Sequence, residues 1–342
     1  MDNLKRLEQS WHCAAKKRRR IMVIGCGRWG SFIGWYLDHI GHDVTLYGRE
    51  GSRHLEEFRK TRSNGMITLE ESTKLTSDLS QTKEADIIVI SIPSQNLDGL
   101  MGQLEKFALG EKIFVLCMKG IEISTGRRLT QVTGQHLGPD SRTAVWIGPG
   151  HVQEFFQGIP NCMVIDSGND EVKHELVDLF TSSLIRFYYG DDLIGNEIGA
   201  AAKNVIGIAA GMLDGEDLSS LKGALMARGT REISRLIAAM GGNELSAYGL
   251  CHLGDYEATV FSRFSHNRQF GESFIKGEKF TSLAEGYYTV KALVQIGERM
   301  HVDLPICNAV YRILYEKADP GKELGGLFHR SLKSEFYGTR QE

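Results

Sequence analysis

Proline is scarce in this chain, 6 in 342 residues, and its 6 cysteines never fall in a C-x-x-C pair. The first scarcity leaves few points at which a helix or strand must break. The second excludes a zinc ribbon and a disulfide framework, so no metal site is expected. Cys13, Cys26, Cys117, Cys162, Cys251 and Cys307 are scattered and read as reduced thiols in a cytoplasmic protein. No apolar run reaches the roughly 18 residues that a membrane span needs. Neither sign of charge dominates; the net charge is −3, which gives no reason to expect nucleic acid as a partner. The basic cluster Lys16-Lys-Arg-Arg-Arg20 has the composition of a localisation signal or a nucleic-acid patch. It is read here as a solvated lead-in to the first strand, with no secretory signal pattern.

Glycine, by contrast, is abundant at 39 residues, as tight turns and close backbone approaches require. The length suits two domains. A polar arm is expected over 1–17 and a sheet domain over 18–190. A helical domain is expected over 191–335. Short apolar runs at 20–25, 43–47, 86–92, 113–117 and 144–147 read as buried strands, with weaker ones near 162–165 and 185–189. Strands alternating with helical segments predict an α/β, Rossmann-type, mainly parallel sheet. After residue 190 the pattern turns helical, over 195–213, 219–240, 283–299 and 306–316, so the second domain is all-α.

Gly25-Cys-Gly27-Arg-Trp-Gly30 is a complete G-x-G-x-x-G directly after a strand and at the opening of a helix. In that context Gly25 makes the tight turn, Gly27 lets a pyrophosphate approach, and Gly30 packs helix on strand. The helix N-terminus adds free N–H groups and a positive dipole. The second strand ends Leu46-Tyr47-Gly48-Arg49, without the acid that would hold a ribose 2′-hydroxyl. Arg49, with help from Arg53, suits a 2′-phosphate, which tips the expected cofactor from NAD toward NADP. Met118-Lys119-Gly120 and Gly148-Pro149-Gly150-His151 follow the fourth and fifth strands, at the sheet edge where ligands bind.

Lys203 stands alone in the small, apolar run from Ile198 to Leu213. A lysine buried there pays desolvation, and its pKa falls toward neutrality, as an acid/base requires. Asp255 is a candidate to orient it. Asn267 and Arg268 are candidates for an anion, and Glu285, which opens a helix, is a candidate to touch the nucleotide.

With these motifs in order from about residue 20 to 320, the chain resembles the NAD(P)-dependent sn-glycerol-3-phosphate dehydrogenase family, of the 6-phosphogluconate-dehydrogenase-like two-domain superfamily. The matching segments are Gly25 to Gly30 with Trp29, Lys119-Gly120-Ile121-Glu122, Glu197 to Gly211, Gly254-Asp255, Asn267-Arg268 with Phe270-Gly271, Glu285-Gly286, and Pro305-Ile306 with Ala309-Val310-Tyr311. The resemblance implies reduction of dihydroxyacetone phosphate to sn-glycerol 3-phosphate by a cytoplasmic homodimer that feeds phospholipid synthesis. It implies Lys203 as the acid/base on the C2 oxygen, with Lys119 and Asp255 completing the catalytic group. Gly25, Gly27, Arg28, Trp29, Gly30, Arg49, Pro93, Lys119, Val152, His266 and Glu285 would face the nucleotide. Lys119, Gly148, Gly150, Lys203, Asp255, Ser265, His266 and Asn267 would face the substrate. Three positions depart from the family pattern: His266 stands for an arginine, Gly150 for a serine or threonine, and Met118 for a serine. The rival readings are a reductase of a different small ketone and a non-catalytic NAD(P)H-binding protein.

Overall fold

The computed structural model describes residues 17–138 and 141–331, together with Glu335. Of the expected polar arm only Lys17 falls among them, and Cys13 and Lys16 lie outside. Arg18, Arg19 and Arg20 of the basic cluster pair with Asp43, Glu175 and Asp86, which ties the lead-in to the sheet.

The strands are β1 Arg20–Ile24, β2 Asp43–Tyr47, β3 Lys74–Thr76, β4 Ile87–Ile90, β5 Ile113–Leu116, β6 Thr143–Ile147, β7 Asn161–Ser167 and β8 Ile185–Tyr189. They form one sheet in the order β3-β2-β1-β4-β5-β6-β7-β8. All pairs are parallel except β6 with β7. The α/β, mainly parallel architecture thus stands. Strands such as Ile87-Ile-Val-Ile90 are buried on both faces, as continuous β-branched runs dictate. β3 was not anticipated; three residues of mixed polarity carry no periodicity to read.

Helices α1 Arg28–His39, α2 Arg53–Thr61, α3 Leu97–Leu104, α4 Leu129–Leu137, α5 Val152–Phe156 and α6 Asp170–Phe180 belong to this half. One sheet face packs Phe32, Tyr36, Trp146, Phe155 and Phe180. The other packs Ile88, Met101, Phe114, Leu116 and Met118 and reaches Ala200 of the second half.

That half is built on α7 Leu193–Gly215, with α8 Lys222–Ala239, α9 His266–Ile275, α10 Glu285–Arg299, α11 Pro305–Tyr315 and α12 Pro320–Gly326. Every residue of α7 from Glu197 to Leu213 is buried, which marks it as the central helix of its domain. A Cβ on Gly211 would lie 1.9 Å from the carbonyl oxygen of Arg268, so α9 crosses α7 backbone on backbone. Among the described residues no helix is long and apolar enough to cross a membrane.

Candidate active site

The parallel order brings the turns after β1, β2, β4, β5 and β6 to one edge of the sheet, and α7 crosses in front of them. Gly25 adopts φ +118°, and a Cβ there would lie 2.1 Å from the Ser91 carbonyl oxygen. Only glycine fits between the β1 and β4 turns. Gly30 is equally confined, with Gly25 O at 1.9 Å, whereas Gly27 meets nothing within 4 Å. The open side of the turn is therefore at Gly27. No side chain caps α1 and no acid lies in its first turn, so its N–H groups and dipole suit a pyrophosphate. Arg49 and Arg53 are exposed beyond β2. Among the described residues neither makes an ion pair.

Lys203 Nζ donates to Thr259 Oγ1 at 2.7 Å and lies 2.8 Å from Asp255 Oδ2. Lys119 Nζ donates to the same Oδ2 at 2.6 Å and to the Gly148 carbonyl at 2.6 Å. One carboxylate oxygen thus aligns two ammonium groups, one from each domain. Lys203 is 8% exposed and Asp255 1%. Burial pushes the Lys203 pKa down to about 8; the Asp255 charge resists and the Lys119 charge assists. Each ammonium has three N–H donors and uses two on protein.

Asp255 is itself held. A π-helical turn, Glu257–Phe261, brings Thr259 under it, and Thr259 Oγ1 donates to the Asp255 carbonyl at 2.7 Å. His252, fully buried, meets Gly199 O through Nδ1 at 2.8 Å and Tyr256 Oη through Nε2 at 2.7 Å. The carbonyl can only accept, so Nδ1 carries a proton. Burial holds its pKa down to about 4.

A chain of amides binds the domains around these lysines. Gly286 N donates to Asn267 Oδ1 (2.9 Å), Asn267 Nδ2 to Asn204 Oδ1 (3.0 Å), and Asn204 Nδ2 to the Lys119 carbonyl (3.0 Å). Glu285 accepts from Ser94 N at 3.0 Å and Ser94 Oγ at 2.6 Å, and burial raises its pKa. Glu197 accepts from Arg128 Nη1 (2.5 Å), Thr130 N (3.0 Å) and Thr130 Oγ1 (2.6 Å). The Asn204, Glu285 and Glu197 contacts cross from α7 or α10 to the sheet domain, while the Gly286–Asn267 and Asn267–Asn204 bonds stay within the helical one.

Lys203, Lys119 and Asp255 come together as the sequence suggests. Other candidates are engaged in packing or capping. Trp29 lies against Phe32 and Phe155, and Val152 is buried with the same aromatic cluster. Pro93 is exposed, just before the Ser94–Asn96 turn. Ser265 caps α9 by accepting from Arg268 N. Arg268, suggested for an anion, is instead paired with Asp214 at 2.6 Å and Glu272 at 3.0 Å. Two carboxylates on α7 and α9 already satisfy it. Met118, in place of a serine, is buried among Leu116, Leu129 and Val145, so its side chain belongs to the core. His266 meets Arg28 Nη2 at 3.1 Å through Nε2 and Leu283 O at 3.3 Å through Nδ1. Arginine only donates and the carbonyl only accepts, so the ring is neutral with its proton on Nδ1; burial first, and then Arg28, lowers its pKa. Thr259 and Asn204 were missed as partners of the lysines. The signal for Thr259 is a hydroxyl four residues after Asp255, one turn along. Among the described residues no group of three or more His, Cys, Asp or Glu side chains is arranged to hold a metal.

Two family models match nearly the whole chain: the NAD-dependent glycerol-3-phosphate dehydrogenase N-terminus over residues 20–173 and its C-terminus over 192–324. The chain belongs to the NAD-dependent glycerol-3-phosphate dehydrogenase family. Relatives within that family include the glycerol-3-phosphate dehydrogenase [NAD(P)+] of Clostridium botulinum, 33% identical over 93% of this chain and 99% of the relative. The Thermotoga sp. protein of the same name is 33% identical over 94% and 100%. Among solved structures, the glycerol-3-phosphate dehydrogenase of Coxiella burnetii superposes with a TM-score of 0.86, at 27% identity, over 92% of this chain and 99% of that one. Members of this family are oxidoreductases acting on CH–OH groups with NAD or NADP, and the glycine turn, α1 N-terminus and paired lysines fit a nicotinamide dinucleotide.

Proposed function

We propose that the protein reduces dihydroxyacetone phosphate to sn-glycerol 3-phosphate, reversibly, in a cytoplasmic homodimer that supplies glycerophospholipid synthesis. The observation that carries this reading is the pair of ammonium groups on one Asp255 oxygen. A bound nicotinamide would supply or accept the hydride at C2. Gly25, Gly27, Arg28 and Gly30 would hold its pyrophosphate. Lys203 holds the proton for the C2 oxygen: its third N–H donates to the carbonyl, and the proton moves as negative charge develops there. In the oxidation direction the neutral amine takes that proton back. Lys119 polarises and positions the substrate, and Asp255 keeps both lysines in register without accepting a proton itself. Asn267 retains one amide hydrogen for the substrate. The cationic surroundings favour an anionic molecule.

The unpaired, exposed Arg49 and Arg53 support NADP(H) over NAD(H). Nicotinamide absorbance with each reduced cofactor and dihydroxyacetone phosphate tests the reading, beside a panel of other small ketones. Turnover with a KM near metabolite levels is expected; clear preference for another ketone, or cofactor binding without turnover of any, refutes it. Arg49→Ala should raise the KM for NADPH by about tenfold, as loss of one charged contact implies, and leave NADH nearly as before. Size-exclusion chromatography checks the dimer.

A further inference from the structure

His151 sits at the site, yet none of the contacts above engages its side chain. It follows β6 in the Gly148-Pro149-Gly150 turn. Its carbonyl opens α5 by accepting from Glu154 N (3.0 Å) and Phe155 N (3.1 Å), a duty that any residue performs. The ring stands edge-on to Phe264, centroids 5.7 Å apart, and so spans from the sheet-domain turn to the segment entering α9. Its Nε2 is buried without a hydrogen-bond partner. Such an atom is costly to bury unless a ligand satisfies it. Three residues before it in the same turn, the Gly148 carbonyl accepts from Lys119 Nζ at 2.6 Å, which places His151 next to the paired lysines, and the charges of Lys203, Asp255, Arg28 and Lys119 bear on the ring. Burial first, then Lys203, pushes its pKa down to about 4. At neutral pH it is therefore an uncharged imidazole, able to hydrogen-bond at Nε2 without a charge to neutralise.

The turn explains why the polar group lies here. Gly150 has φ +140°, and a Cβ on it would come within 2.3 Å of the Phe155 ring. A hydroxyl-bearing residue at 150 is excluded by that packing, and the next side chain is His151.

We propose that His151 is a substrate-binding residue whose Nε2 hydrogen-bonds an oxygen of the bound phosphorylated ketone. This rests on the reading above that such a ketone is the substrate.

Two variants separate contact from packing. His151→Phe keeps the ring against Phe264 and loses the polar nitrogen; His151→Gln keeps a polar group at the reach of Nε2 and loses the ring. We expect the KM for dihydroxyacetone phosphate to rise about tenfold in His151→Phe, the loss of one hydrogen bond. kcat should change by less, the NADPH dissociation constant should hold, and His151→Gln should recover most of the KM. The reverse order, Phe near wild type and Gln impaired, or no KM change in Phe, overturns the assignment while leaving the functional reading intact. A wild-type protein that turns over no phosphorylated ketone removes both.

Discussion

Lys203 is buried at 8% exposure, and the ammonium is kept there by Thr259 and by an oxygen it shares with Lys119. With its pKa near 8, the pH dependence has a definite sign. Ketone reduction needs the protonated amine and should decline as pH rises through about 8; alcohol oxidation needs the free amine and should climb through the same range. Lys203→Met should lower kcat by a factor of about 10²–10⁴ with NADPH binding intact. Stability should move the other way. The folded pKa lies below the unfolded value, so the unfolded chain holds this proton more tightly between about 8 and 10.4. The buried cation's penalty is complete below pH 8 and fades as pH rises to the unfolded value. Lys203→Met should therefore raise stability by about 1–3 kcal/mol at pH 7, with less gain near pH 10. Thermal melts at the two pH values read this directly; equal gains at both would show that the ammonium is not under strain.

At the scale of elements, α7 was legible because its run of small apolar residues is long and interrupted by a single lysine. The strands from β4 to β6 were legible as short apolar runs, β4 wholly β-branched and stopped by Pro93, β6 stopped by Gly148. The G-x-G-x-x-G turn announced itself by position after β1. α9 was not: His266-Asn-Arg-Gln reads as a polar loop, and its helix is fixed by contact with α7, where a Cβ on Gly271 would lie 2.1 Å from Ile208 O. Arg268 could not be placed either, since its partner Asp214 lies 54 residues away. The tightness of this crossing is testable. Gly211→Ala puts a methyl 1.9 Å from the backbone oxygen of Arg268, which cannot yield as a side-chain end can. It should lose about 3 kcal/mol or more. Gly134→Ala, in α4 with nothing within 4 Å, should instead gain roughly 0.5–1 kcal/mol from helix propensity alone. Chemical denaturation of the pair checks both signs.

For the whole molecule, the decisive feature is that the site has no complete half. Lys119 comes from the sheet domain and Asp255 and Lys203 from the helical one, so catalytic geometry depends on how firmly the halves are joined. Glu197, whose pKa burial raises, meets Arg128 and Thr130 six residues before Lys203 on the same rigid helix. Removing Arg128 leaves a buried carboxylate without its counter-charge, and removing Glu197 leaves a largely buried guanidinium without one, which costs about 3–5 kcal/mol. Glu197→Ala and Arg128→Ala should each destabilise by about that amount. The double variant should fall well short of their sum, with a coupling of about 1–3 kcal/mol. Since α7 carries the strain directly to Lys203, kcat should fall in the single variants at temperatures where both remain folded, while the nucleotide turn after β1, remote from this contact, keeps its affinity for NADPH. Additive destabilisation in the cycle, or full kcat in folded Glu197→Ala, would show that the joint between the domains is made elsewhere, through the Asn204 amide chain and Ser94–Glu285.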